Sequence, residues 1–89
     1  GSTVYVTGTL VTADGEPLSL QGGEMVRVNA ETEAPQLFFT NREGYFEAHE
    51  LRPGAYDLRL FGPVTRTIPV TIPEESEGEY SLGRLEVTR

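Results

Sequence analysis

The sequence predicts an all-β protein, a seven-stranded β-sandwich, on three observations. No segment of useful length shows the 3.6-residue apolar period of a helix. Short runs rich in Val, Thr, Tyr, Phe and Ile recur at roughly 8–12-residue spacing, the pattern of sandwiches and barrels. Ten Gly and six Pro fall between those runs instead of pooling in one tract, so they act as turn formers and not as a disordered linker.

Residues 3–12 are the first predicted strand, with Val4, Val6, Gly8 and Leu10 on one face. Asp14-Gly15 turns the chain, and Pro17 keeps it from continuing as a central strand. Gly22-Gly23 reads as a break. Residues 25–31 read as the second strand, with Val26 and Val28 alternating against Arg27. The polar stretch 31–35 is a loop, and 36–40 the third strand. Asn41-Arg42-Glu43-Gly44 forms a turn with Gly where φ must be positive, before a fourth strand at 45–50 with Phe46 inward. Arg52-Pro53-Gly54 is a type II turn: Pro pre-sets φ and Gly takes the left-handed position. The fifth strand, 55–61, puts Tyr56, Leu58 and Leu60 on one face and Asp57 and Arg59 on the other. Gly62-Pro63 breaks the chain again. In the sixth strand, 64–72, Ile68, Val70 and Ile72 face inward, and Pro69 marks a sheet edge because it cannot donate to a ladder. An acidic loop at 74–79 leads to the last strand, 80–88, with Leu82, Leu85 and Val87 apolar and Gly83 placed for a bulge. Residues 8–18, 40–60 and 82–87 together set the expected core.

Composition narrows function. Residues 3–89 make one domain, and Gly1-Ser2 reads as the scar of a removed tag. The segment reads as a domain cut from a longer protein. Cysteine is absent, which removes disulfides and thiolate chemistry. Net charge is −7, from twelve Glu and two Asp against seven Arg and no Lys. Such a surface repels phosphate backbones and anionic lipid, so nucleic acid and membrane are not the expected partners. No apolar run approaches the roughly 20 residues that a membrane helix requires.

No catalytic, cofactor or metal site is expected. His49, the one histidine, shares a strand face with Glu47, and Leu51 follows on that face. Without a second His or a Cys the pair lacks the ligands of a transition-metal site. Glu74, Glu75, Glu77 and Glu79 crowd one loop, but their spacing matches no calcium loop, and a solvated hairpin tip is the expectation. The serines stand in no nucleophile motif. The run Leu37-Phe38-Phe39 has more to offer. Alternation separates Leu37 and Phe39 from Phe38, and Phe38 is taken as the residue turned toward a partner. Tyr5 and Tyr45 are further outward candidates. A carbohydrate platform looks short of material, with no Trp and the eight Phe and Tyr mostly assigned to the core.

Two family patterns emerge from these turns. Gly8-Thr9-Leu10-Val11, Asp14-Gly15-Glu16-Pro17-Leu18, Gly44-Tyr45-Phe46 and Leu51-Arg52-Pro53-Gly54-Ala55-Tyr56-Asp57-Leu58 together are similar to carboxypeptidase-regulatory-like domains. The resemblance implies a prealbumin-like (transthyretin-like) Greek-key sandwich serving as an accessory or spacer module of a surface or secreted protein. A narrower set, Asp14-Gly15-Glu16-Pro17-Leu18 with Gly22-Gly23, then Phe38-Phe39-Thr40-Asn41-Arg42-Glu43-Gly44-Tyr45-Phe46, Leu51-Arg52-Pro53-Gly54 and Ser81-Leu82-Gly83-Arg84-Leu85, resembles the C-terminal domain of chaperone–usher pathway ushers. That resemblance implies a non-enzymatic, monomeric docking domain on the periplasmic side of the bacterial outer membrane. Its partners would be chaperone–pilin subunit complexes and the rest of the usher. Many ushers carry a cysteine pair here, and this chain has none. Hydrolases of the transthyretin-like architecture need several histidines and a Tyr-Arg-Gly-Ser ending, which this chain also lacks.

Overall fold

The computed structural model describes residues 3–30 and 32–88. Gly1-Ser2, Glu31 at the end of the predicted second strand, and Arg89 lie outside the described residues. Seven strands succeed one another: β1 (Val4–Val11), β2 (Gly22–Arg27), β3 (Gln36–Phe39), β4 (Tyr45–Leu51), β5 (Gly54–Gly62), β6 (Thr65–Ile72) and β7 (Glu79–Glu86). They form two sheets, one of order β4-β1-β7 and one of order β3-β2-β5-β6. Among the described residues there is no helix. β1 runs antiparallel to β4 and parallel to β7, so the first and last strands lie side by side. The larger sheet is antiparallel throughout.

Each strand turns one apolar face to the shared interior. Val4, Val6 and Leu10 of β1, Phe46 and Ala48 of β4, Met25 of β2, Phe38 of β3, Tyr56, Leu58 and Leu60 of β5 and Ile72 of β6 are all buried. Each side chain of this size contributes roughly 1.5–3 kcal/mol by leaving water. Pro69 lies on β6, an edge strand, opposite Asp57.

The rings of Phe38 and Phe46 stack at 4.4 Å between centroids and bridge the two sheets. This stack explains the glycines. Gly8 is the cross-strand partner of Phe46, and Gly23 that of Phe38. A β-carbon on Gly8 would stand 2.8 Å from the Phe46 ring, and one on Gly23 would stand 2.5 Å from that of Phe38. The interior thus holds a four-layer stack, glycine–ring–ring–glycine, in which only glycine leaves room for the rings. Gly22-Gly23 is accordingly the start of β2 and not a break. The second strand begins earlier than its side chains announce, and its facing is inverted: Met25 is buried while Val28 is exposed beyond the strand end.

Two bulges adjust the smaller sheet. Between Val4 and Val6 of β1, β4 runs from Leu51 to Ala48 and so carries one extra residue. Glu50 there has φ 57°. The bulge turns Leu51 into the core, which corrects the expectation that it shares a face with His49. Gly83 has φ 72° where β7 slips against Thr7 and Thr9, the bulge anticipated at that glycine.

A buried polar clamp ties strand ends of the larger sheet together. The Gln21 amide nitrogen donates to the carbonyls of Gly22 (2.9 Å) and Val64 (2.8 Å), and its oxygen accepts from the Val64 amide (3.0 Å). The Gln21 backbone N–H donates to the Thr40 hydroxyl at 2.8 Å, and that hydroxyl donates to the Leu18 carbonyl at 2.6 Å. Gln21 immediately precedes Gly22, Thr40 follows Phe39, and Val64 belongs to the β5–β6 turn beyond Phe61. The clamp therefore fixes all three strand ends around which the exposed aromatics gather.

Candidate functional site

Phe38 does not face a partner: it is 3% exposed, whereas Phe39 is 69% and Phe61 50% exposed. The register is the reason. Phe38 pairs with Gly23 on the inward face, where the missing side chain leaves space for its ring, and Leu37 and Phe39 are thereby forced outward. A run of three apolar residues carries no polar marker of its own phase, so alternation alone could not say which face was which.

Phe39 and Phe61 meet across Gly22 on the outer face of the larger sheet. Gly22 pairs with Phe39 on one side and Gly62 on the other. The two rings stand edge to face, 6.4 Å apart. A β-carbon on Gly22 would lie 2.7 Å from the Phe61 ring and 3.0 Å from that of Phe39. The rings close over the glycine and form an aromatic ridge with its outer surface in water.

The ridge has a hollow on each side. The first lies along the open β3–β4 side of the sandwich and is lined by Phe39, Thr40, Asn41, Tyr45, Glu47 and His49. The Tyr45 hydroxyl donates to Glu47 Oε2 at 3.1 Å, and His49 Nε2 stands 3.7 Å from Glu47 Oε1. The Tyr5 ring packs on His49 with centroids 4.5 Å apart. Tyr5 and Tyr45 thus face outward as expected, and the structure gathers them with Glu47 and His49. The polar contact with the Glu47 carboxylate, followed by partial burial, pushes the Tyr5 phenol up to about 12. Partial burial, then the hydrogen bond to Glu47, raises the Tyr45 phenol. The polar contact with the Tyr5 hydroxyl holds Glu47 below the usual carboxylate range; partial burial opposes this, and the hydrogen bond from Tyr45 and the nearby His49 reinforce it. Phenols kept protonated and a carboxylate kept charged hold fixed donor and acceptor positions, and such a carboxylate is a poor proton acceptor near neutral pH.

The second hollow, beside Phe61, is lined by Glu24, Arg59, Thr65, Arg66 and Thr67. Sequence reasoning missed this flank and Phe61 itself. The available signal was the Gly22-Gly23 pair: two adjacent glycines within a strand leave room for large rings on both faces of the neighbouring strand. In the acidic loop, no group of three or more carboxylates or imidazoles among the described residues is placed to hold a metal ion.

No protein-family profile matches the chain, and no curated protein does. Solved structures do. A DUF3823 family protein from Parabacteroides merdae has a TM-score of 0.64 at 20% identity, over 99% of this chain and 46% of that one. A candidate carbohydrate binding protein from Bacteroides uniformis has a TM-score of 0.61 at 12% identity, over 94% of this chain and 41% of that one. A DUF3823 family protein from Bacteroides ovatus has a TM-score of 0.61 at 18% identity, over 96% of this chain and 44% of that one. The chain therefore spans less than half the length of these structures. At such identities the likeness is one of fold. It overturns the usher resemblance, because the structural neighbours are these proteins and not usher C-terminal domains. The pilus-assembly and outer-membrane expectations fall with it. The segments that carried them, Asn-Arg-Glu-Gly, Arg-Pro-Gly and Ser-Leu-Gly, are turns and a bulge that a sandwich of this strand order needs whatever it binds. The neighbours fit an accessory β-sandwich better than an usher docking domain.

Proposed function

We propose that the chain is a non-catalytic accessory β-sandwich of a surface or secreted protein, and that it binds carbohydrate across the Phe39–Phe61 ridge. The single observation carrying this reading is the ridge itself: two rings held over a glycine floor, with Phe39 69% exposed. Large rings so exposed on a small domain are a binding surface in search of a flat apolar ligand face. The C–H face of a pyranose is such a face, and its hydroxyls would find the fixed groups of Tyr45, Glu47 and His49 on one flank. The candidate carbohydrate binding neighbour, with the same architecture, supports the ligand class. The strand orders β4-β1-β7 and β3-β2-β5-β6, with β7 parallel to β1, support a prealbumin-like Greek-key topology for the described residues.

Affinity electrophoresis through gels containing a panel of soluble polysaccharides tests the reading. At least one polysaccharide should retard the domain, and Phe39→Ala with Phe61→Ala should abolish that retardation while leaving the circular dichroism spectrum unchanged. Migration unaffected by every polysaccharide, or retardation that survives the double substitution, overturns it.

A further inference from the structure

We infer that the hollow beside Phe61 selects a sugar carrying a carboxylate, a uronic acid, and that Arg59 and Arg66 are the residues that read its charge. The inference deepens the carbohydrate reading and rests on it. With a net charge of −7 the protein as a whole repels anions. An anionic ligand is admitted only where guanidinium groups gather. Arg27 and Arg52 serve the architecture. Arg27 donates to the Tyr56 hydroxyl (3.0 Å) and to the Pro53 carbonyl (3.0 Å), and Arg52 pairs with Glu33. Arg59 and Arg66 are different: among the described residues neither makes an ion pair, and both line the same hollow as Phe61.

Arg59 pairs with Thr67 and so shares the outer face with Phe61, whereas Arg66 pairs with inward-facing Leu60 and starts from the opposite face of β6, an edge strand, from which it reaches the same hollow. Phe61 pairs with Thr65 on the next rung. The Arg66 guanidinium folds back and donates to the Thr65 carbonyl at 2.7 Å. A pyranose resting on Phe61 would present an equatorial carboxylate to these two planar donor forks, whose geometry matches it bidentately. The Thr65 and Thr67 hydroxyls can serve neighbouring sugar oxygens. Glu24, the cross-strand partner of Arg59, gives the hollow an acceptor for sugar hydroxyls. Its charge also works against polyanions dense enough to place a second negative group there.

Isothermal titration of the whole chain with trigalacturonate and with its fully methyl-esterified counterpart tests the inference, because the backbone is the same and only the charge is masked. The free acid should bind about tenfold tighter than the ester, a difference of about 1.4 kcal/mol. Arg59→Gln and Arg66→Gln should each erase most of that ratio while leaving affinity for the ester in place, and Phe61→Ala should weaken both ligands. Arg59→Lys should keep part of the preference, since charge remains and the fork is lost. Equal affinity for acid and ester, or a ratio that survives both glutamine variants, overturns the inference while leaving the ridge reading intact if the ester still binds through Phe39 and Phe61. A sulfated neutral-backbone trisaccharide that binds as tightly as the uronate overturns the assignment to a carboxylate. Failure of acid, ester and every neutral glycan to bind overturns both readings.

Discussion

The Phe38 ring lies against Gly23, its antiparallel partner, so closely that a β-carbon on that glycine would stand 2.5 Å from it. Phe38 in turn stacks on Phe46, which lies across Gly8. This column joins the two sheets at the same end as the candidate site. Gly23→Ala should push the ring column apart and destabilise the domain by about 1–3 kcal/mol, the usual cost of overpacking. For a domain of this size each kcal/mol is about 4–8 °C in Tm, so differential scanning calorimetry reads the effect directly. Half-buried Gly62, around which a β-carbon would meet nothing, is the control, and its alanine variant should melt within a few degrees of wild type. Equal, small changes at both positions would refute the column as a packing constraint.

The Gln21–Thr40 clamp makes a second, separable prediction. Thr40→Val keeps the shape but leaves the Gln21 N–H and the Leu18 carbonyl without their partner in a buried setting. Stranding such groups costs about 1–3 kcal/mol. Gln21→Leu does the same to Val64, whose N–H and C=O both depend on the Gln21 amide. Because the clamp holds the strand ends carrying Phe39 and Phe61, both variants should weaken polysaccharide retardation at temperatures where they remain folded. Chemical denaturation and affinity electrophoresis at 15 °C check the two halves. A destabilised variant with undiminished ligand affinity would show that the clamp does not position the ridge.

The strands announced themselves wherever a polar residue alternated with an apolar one. Tyr56, Leu58 and Leu60 against Asp57 and Arg59 fixed both the existence and the facing of β5. The turns at Gly44 and Gly54 were legible because Asn-Arg-Glu-Gly and Pro-Gly encode a positive φ locally, and both glycines have one. The facing of β2 and β3 was not legible, because Gly22, Gly23 and Leu37-Phe38-Phe39 contain nothing that distinguishes inside from outside. Only the pairing of Gly23 with Phe38 breaks that tie, and pairing is a long-range property. The parallel contact of β1 with β7 is silent in the sequence for the same reason. Half of the candidate site followed from strand faces, namely Tyr5, Tyr45, Glu47 and His49. The other half, Phe61 with Arg59 and Arg66, depends on which strands become neighbours.

Gly44 offers the sharpest test of local backbone demand. Its φ is +81°, and a β-carbon would collide with the Leu10 carbonyl oxygen. That oxygen belongs to the chain that returns the Gly44 carbonyl's hydrogen bond, since the Leu10 N–H donates to Gly44 O at 2.9 Å. Gly44→Ala therefore combines a disfavoured φ with a backbone clash, and should cost more than the roughly 1 kcal/mol of a simple left-handed penalty. Gly78→Ala, at φ +70° with no neighbour in the way, should cost only that simple penalty. Thermal melts of the pair measure the difference; equal losses would assign the whole effect to φ and none to the contact with Leu10.

The outer cluster on the smaller sheet predicts a two-sided pH response. Glu47 is held below its ordinary carboxylate value, first by the polar contact with Tyr5. A carboxylate depressed by folding adds stability that is present above its unfolded value of about 4.3 and is lost as pH falls through the lower, folded value. Tyr5 titrates in the opposite sense. The Glu47 carboxylate, helped by partial burial, raises it to about 12, so its contribution is whole below the unfolded value of about 10 and disappears as pH climbs toward 12. Absorbance titration at 295 nm, with circular dichroism marking the pH at which the fold is lost, should find one tyrosine ionising about two pH units late. In Glu47→Gln that tyrosine should return toward pH 10. Tyr5→Phe should flatten the fall in Tm between pH 5 and pH 3 relative to wild type, because Glu47 loses the partner that most favours its charged form. A late tyrosine that persists in Glu47→Gln would mean that burial, and not the carboxylate, sets the Tyr5 value, and the cluster would then be four neighbours on a sheet face without electrostatic coupling.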